Sequence, residues 1–178
     1  GFSGLEWTVK SSRAEVGPGP NLFSDSPDNA WVDAQGRLHL RITYRGGRWR
    51  CAEVVAEASF GYGTYRFHLD SSVDDLGPGA VLGLFTWSDD PVDHNREIDI
   101  EFSRWGSMYG HNAQYVVQPE ARANIHRFAQ ARQRQSLHGF RWEAGRVSFE
   151  SQAGGESAGP TSWTTSSGIP SPGGANVR

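Results

Sequence analysis

The chain has 178 residues, about one domain's worth, with 37% hydrophobic and 12% aromatic residues, and this balance excludes disordered, collagen-like and coiled-coil proteins. Its 17 basic and 20 acidic residues leave a formal charge of −3, so the whole molecule has no pull toward nucleic acid or an anionic membrane. Cys51 is the single cysteine, which excludes an internal disulfide, and a chain of this length buries enough surface to fold without one.

Helical periodicity is nearly absent. Short alternating runs rich in Val, Ile, Thr and aromatics predict strands at residues 6–11, 30–32, 37–44, 52–60, 63–70, 80–88, 97–103, 111–117, 123–129, 136–142 and 146–151. Turn signals separate them, among them Gly17-Pro18-Gly19-Pro20, Gly46-Gly47, Gly77-Pro78-Gly79 and Glu143-Ala144-Gly145. Many short strands without crossover helices predict an all-β jelly-roll sandwich. Residues 152–174, heavy in Gly, Ser, Thr and Pro, read as a linker that carries Trp163 and Ile169. The opening Gly1-Phe2-Ser3 has no initiator Met and no signal pattern, as expected if a leader was removed or the chain trimmed. The longest apolar stretch, from Ala80 to Phe85, is far short of the ~20 residues a spanning helix needs.

The most informative run is Glu97-Ile98-Asp99-Ile100-Glu101-Phe102. Strand alternation puts the two Ile and Phe102 on one face, the sandwich interior, and three carboxylates on the other. Like charges at this spacing repel and raise one another's pKa, and no Lys or Thr interleaves to relieve them. A solvated acidic face is one reading of the pattern. The other is catalytic: Cα atoms of Glu97 and Glu101 lie roughly 13 Å apart along a strand, and side chains leaning inward bring the carboxyls to about 5–5.5 Å, the separation of retaining glycosidases. One Glu is then nucleophile and the other an acid kept protonated by neighbouring negative charge, with Asp99 between them. On the preceding strand Val81, Gly83, Phe85 and Trp87 share a face, and if the two strands pair, Phe85 and Trp87 flank the carboxylates as core residues or as a platform for sugar rings. Glu53, Gln114 and Tyr115 are candidate contacts to sugar hydroxyls.

The run from Glu97 to Phe102 resembles the signature of glycoside hydrolase family sixteen, the laminarinase and lichenase group. Phe60-Gly61-Tyr62-Gly63-Thr64-Tyr65-Arg66-Phe67, Trp49-Arg50-Cys51-Ala52-Glu53, Leu84-Phe85-Thr86-Trp87 and His138-Gly139-Phe140-Arg141-Trp142 resemble further family segments, so the likeness runs in order over most of the chain. It implies a concanavalin-like jelly roll of two curved antiparallel sheets whose concave face forms the substrate cleft. It also implies Glu97 as nucleophile, Glu101 as general acid/base and Asp99 as assisting carboxylate, with substrate contacts at Glu53, Phe85, Trp87, Gln114 and Asn21. Two departures stand out. Asn95 and Arg96 stand where many lichenases carry a Trp two residues before the first Glu, and a family strand ending in a cleft-facing Trp is missing after Arg178. The expectation is one hydrolase domain over residues 1–178 lacking that last strand, and therefore less stable or prone to associate.

The six His show no metal-ligand spacing, no G-x-S-x-G elbow is present, and the loop from Ser88 to His94 lacks the pattern of an EF-hand and reads as solvated. The four cations Arg122, Arg127, Arg132 and Arg134 read as solvated surface. No cofactor and no catalytic metal is expected, although the resemblance allows a structural calcium whose ligands no cluster identifies. The expected function is retaining endo-hydrolysis of β-1,3 or mixed β-1,3-1,4 bonds in a β-glucan. The rivals are a lectin-like domain without turnover, a transglycosylase and a galactanase on the same fold. A polysaccharide substrate implies a monomer that is secreted or periplasmic, with no nucleic-acid or membrane partner.

Overall fold

The computed structural model describes residues 1–107, 109–153 and 159–178. Its contacts gather into two units, residues 1–59 with Arg178, and residues 60–177.

The first unit holds three antiparallel pairs: β1 (Trp7–Val9) with β6 (Val54–Ala56), β2 (Ala30–Val32) with β3 (Leu38–Leu40), and β4 (Thr43–Arg45) with β5 (Arg48–Arg50). Asn29, fully buried, joins the last two pairs. Its amide donates to the carbonyls of Arg41 and Arg50, and its oxygen accepts from Thr43 and Arg45. The single strand expected over residues 37–44 breaks at Arg41, whose N–H bonds to the carbonyl of Asn29 instead of continuing the ladder. Strand β5 escapes the sequence because Arg48 and Trp49 are exposed and carry no apolar alternation. It forms because Gly46 and Gly47 both take left-handed φ values, 59° and 77°, as a two-residue hairpin turn needs.

At the unit boundary lies β7 (Ser59–Phe60). The second unit then contains β8 (Gly63–Leu69), β9 (Val81–Trp87), β10 (Ile98–Ser103), β11 (Ala113–Val117), β12 (Ile125–Phe128), β13 (Ser136–Glu143), β14 (Arg146–Ala153), β15 (Thr161–Thr165) and β16 (Ala175–Val177). One sheet runs β12-β11-β10-β9-β16-β7 and the other β15-β14-β13-β8. The pairings from β8 to β16 in these sheets are antiparallel, as the jelly-roll expectation requires.

Side-chain alternation builds the core between them. Ile98, Ile100, Phe102 and Tyr115 from the first sheet are fully buried with Phe140, Trp142, Val147 and Phe149 from the second. Each such side chain contributes about 1.5–3 kcal/mol relative to exposure. The Tyr115 ring stacks on Phe149 at 4.8 Å, and His138 meets Phe102 edge-on at 4.7 Å. His138 is fully buried, its two ring nitrogens bonded to Ser136 and Ser151, and burial lowers its pKa to about 4, so it packs as a neutral ring.

The linker reading of residues 152–174 is corrected here. Ser-Thr alternation around Trp163 makes β15, which pairs with β14 from Val147↔Thr165 to Ser151↔Thr161. Trp163 stacks on Phe149 and His126, so one large apolar residue anchors an otherwise polar strand. Residues 154–158 of that stretch lie outside the described residues.

Candidate active site

Strand β10 is central in its sheet, and its two neighbours fix what stands beside each carboxylate. Asp99 pairs with Phe85 on β9 and Val116 on β11, and Glu101 pairs with Gly83 and Gln114. Paired residues share a face, so Glu97, Asp99, Glu101, Phe85, Trp87 and Gln114 lie on the side opposite the core. The hairpin expected between β9 and β10 is present, and Phe85 and Trp87 are half-buried on the acidic face.

The three carboxylates differ in environment. Asp99 is 5% exposed, and its Oδ2 has no hydrogen-bond partner. Burial, then the charges of Glu97 and Glu101, hold its pKa well above the usual carboxylate range. A side-chain hydrogen bond with Glu97 adds to this upward shift. Glu97 and Glu101 are half-exposed, as groups that meet a substrate must be. Burial also raises the pKa of Glu101, a shift opposed by the amide of Gln114, which donates a hydrogen bond to Glu101 Oε2.

Behind Gln114 stands a surface cation, its side chain 52% exposed as the solvated reading expects. Arg127, opposite Gln114 on β12, donates from Nε to Gln114 Oε1 at 3.0 Å, and its guanidinium lies 5.5 Å from the ring centre of Trp105. The relay Arg127–Gln114–Glu101 crosses three strands in register. The amide of Gln114, 5% exposed, is thereby oriented with its N–H toward the carboxylate.

A second cation organises the approach to Glu97. The loop from Ser88 to His94 is largely exposed, as expected, but two of its carboxylates are tied to Arg96. Arg96, buried, pairs with Asp90 at 3.2 Å and Asp93 at 3.4 Å and donates to the carbonyl of Ser171 and the hydroxyl of Ser88. Ser171 bonds Asp93 in turn. A hydrogen bond to the Val92 N–H, then Arg96, lowers the pKa of Asp90. His94, Asn95 and Arg96 are three successive residues in the left-handed region, with φ of 49°, 62° and 49°, ending directly before Glu97. Non-Gly residues there carry roughly 1–3 kcal/mol of strain each, so the Arg96 cluster holds a turn that the backbone alone would not choose. Gly173 lies against the guanidinium, and a Cβ on it would come within 2.4 Å of Arg96 Nε.

Of the remaining sequence candidates, Tyr115 is corrected. It follows Gln114 and so points to the opposite face, fully buried among Phe128, Phe149 and His126, with no surface to offer a sugar. Asn21 and Glu53 belong to the first unit. Asn21 donates to the carbonyl of Pro18, and Glu53, buried, is held by Lys10 at 2.7 Å and Arg178 at 3.1 Å. Among the described residues no cluster of three or more His, Cys, Asp or Glu is arranged to hold a metal ion, and no helix is long and apolar enough to cross a membrane.

No family model matches the chain, and no curated protein matches it. Solved structures do. The chain is similar to a β-glucanase from Bacillus licheniformis, at 20% identity and a TM-score of 0.63 over 98% of this chain and 78% of that one. It is similar to a Mycobacterium tuberculosis protein described as an immunostimulatory antigen and pseudo β-1,3-glucanase, at 21% identity and a TM-score of 0.64 over 96% and 77%. A glycosyl hydrolase family 16 protein from Mycobacterium smegmatis matches at 17% identity and a TM-score of 0.65 over 98% and 79%. These likenesses show that the chain has the β-jelly-roll fold of the family-sixteen β-glucanases.

Proposed function

We propose that the chain is a glycoside hydrolase that cleaves internal β-1,3 or mixed β-1,3-1,4 bonds of a β-glucan with retention of configuration. The observation that carries this reading is the unequal environment of three carboxylates on one strand face. Asp99 is buried and hydrogen-bonded to Glu97 with its pKa held high, whereas Glu101 is partly exposed, with a raised pKa and a fixed amide donor. Two carboxyl groups with opposite tasks need environments that separate their pKa values.

In the first step Glu101 gives its proton to the glycosidic oxygen as the C1–O bond breaks, and a Glu97 oxygen attacks C1 from the opposite face. The product alcohol leaves and a glycosyl ester on Glu97 remains. In the second step Glu101, now a carboxylate, takes a proton from water, whose oxygen attacks C1 and releases Glu97. The hydrogen bond with Asp99 stabilises the Glu97 carboxylate before attack and again as it departs. Gln114 steadies Glu101 in its charged form between the two steps, when the proton has gone. Phe85 and Trp87 offer apolar ring faces beside the carboxylates, on which pyranose C–H faces stack. A polysaccharide substrate places such an enzyme outside the cytoplasm, in the periplasm or the medium.

A reducing-end assay on laminarin, lichenan, agarose and xyloglucan tests the reading. Release of oligosaccharides from laminarin or lichenan is the expected result. Activity confined to agarose or xyloglucan would overturn the β-glucan assignment, and binding without release would favour a lectin-like protein.

A further inference from the structure

Gln114 stands between a guanidinium and a carboxylate, and its amide can serve both in only one orientation. An arginine side chain has N–H donors and no acceptor, so the atom that faces Arg127 Nε at 3.0 Å is the amide oxygen. The amide N–H groups are thereby turned toward Glu101 Oε2. Without such a neighbour the amide is free to turn over, present its oxygen, and accept a hydrogen bond from a protonated Glu101. Donation favours the charged carboxylate, and acceptance favours the neutral acid. The orientation of one buried amide therefore bears on how firmly Glu101 holds its proton.

Arg127 is itself held. Its guanidinium lies 5.5 Å from the ring centre of Trp105, and its Nη2 is 3.9 Å from Glu120. Trp105 takes a left-handed φ of 43°, an uncommon conformation for a bulky residue, and its N–H bonds to Ser103 Oγ. The groups that face Glu101 come from every neighbouring element. Its own strand gives Glu97 and Asp99, β9 gives the uncharged Gly83, β11 gives the neutral Gln114, β12 gives Arg127, and the loop after β11 gives Glu120. Burial, and then Glu120, raise the pKa of Glu101; the Gln114 hydrogen bond and, more weakly, the charge of Arg127 lower it. The stronger hold of Arg127 on Glu101 thus runs through the amide rather than through space.

We propose that Arg127 is a positioning residue that locks the Gln114 amide in the orientation that donates to Glu101, and so sets the pH at which Glu101 parts with its proton. The kinetic consequence rests on the proposed hydrolysis, in which Glu101 gives up a proton in the first step and takes one from water in the second. An amide free to turn over would accept from the acid, hold the proton back in the first step, and weaken the base needed in the second. The effect of Arg127 on the reaction passes through Gln114.

A ¹³C NMR titration of the Glu101 side-chain carboxyl, its signal identified as the one missing in Glu101→Gln, tests the lock without any turnover. Arg127 is half-exposed, so its replacement leaves the fold intact. Arg127→Met is expected to raise the titration midpoint by about half a pH unit or more, and Arg127→Lys, still a donor without an acceptor, to recover most of that shift. In a Gln114→Met background the same Arg127→Met change is expected to move the midpoint by less than about 0.2 unit, since the amide that relays it is gone. A midpoint unmoved by Arg127→Met, or an equal rise with and without Gln114, would overturn the lock. The alkaline limb of kcat/KM on laminarin is expected to follow the Glu101 midpoint from variant to variant. Midpoints that move as expected in a protein that hydrolyses neither laminarin nor lichenan would overturn the β-glucan hydrolase reading and leave the lock standing.

Discussion

Glu97→Gln and Glu101→Gln each lower kcat/KM on the cleaved glucan by about 10³-fold or more, since each removes a group that forms or breaks a bond in the transition state. Both substitutions keep side-chain volume, and Glu97 and Glu101 are half-exposed, so the melting temperature stays within a few degrees. The two roles separate with azide. In Glu97→Ala azide replaces the missing nucleophile and gives an α-glycosyl azide from an activated β-donor. In Glu101→Ala the glycosyl ester still forms from a dinitrophenyl glycoside, and azide attack on it gives the β-glycosyl azide. Near wild-type hydrolysis by either variant, or the reverse pairing of azide anomers, would contradict the assignment of nucleophile and acid/base.

Arg96→Ala is expected to be the most destabilising single change next to the site. It frees Asp90 and Asp93 from their shared partner, leaves the carbonyl of Ser171 without its donor, and releases the strained turn at 94–96 that leads into Glu97. Both carboxylates retain some exposure, 46% and 28%, so the loss is below that of breaking a fully buried pair, about 3–5 kcal/mol. About 2 kcal/mol is expected, a drop of roughly 4–8 °C in Tm for a chain of this size. Because Arg96 acts on Glu97 through the backbone, kcat falls more than KM changes, and Arg96→Lys, which keeps charge without the planar fork, restores only part of either loss. A Tm within 1 °C of wild type together with an unaltered kcat would remove Arg96 from the positioning of Glu97.

Strand alternation carries what was legible in the sequence. The Glu97–Phe102 run announced both its buried Ile and Phe side and its acidic side, and the Val81–Trp87 strand fell beside it as its own alternation implied. What the sequence hides is register. Gln114 is a candidate substrate contact by its family position, but its place beside Glu101 and the place of Arg127 behind it come from the pairing of β10, β11 and β12, a relation that no spacing along the chain encodes. Tyr115 faces away from the site by the same alternation that places Glu101, since adjacent residues on a strand cannot both face one ligand. Strand β15 was hidden for another reason. Its one large apolar ring, Trp163, is half-buried against Phe149 and His126, while its other residues have the composition of a linker. The acidic loop at 88–94 is as exposed as its composition implies, but its pairing with Arg96 is hidden, because that residue lies at the far end of a turn with three left-handed residues, a geometry that no propensity predicts.

The central claim is that Glu97 and Glu101 act in a double displacement, and the anomeric configuration of the newborn product tests it most directly. Proton NMR of laminarin or lichenan hydrolysis, recorded within the first minutes before mutarotation, is expected to show the β-anomer of the new reducing end appearing first and the α-anomer growing in later. The α-anomer appearing first would mean direct displacement by water, and the account of Glu97 as a nucleophile would be wrong.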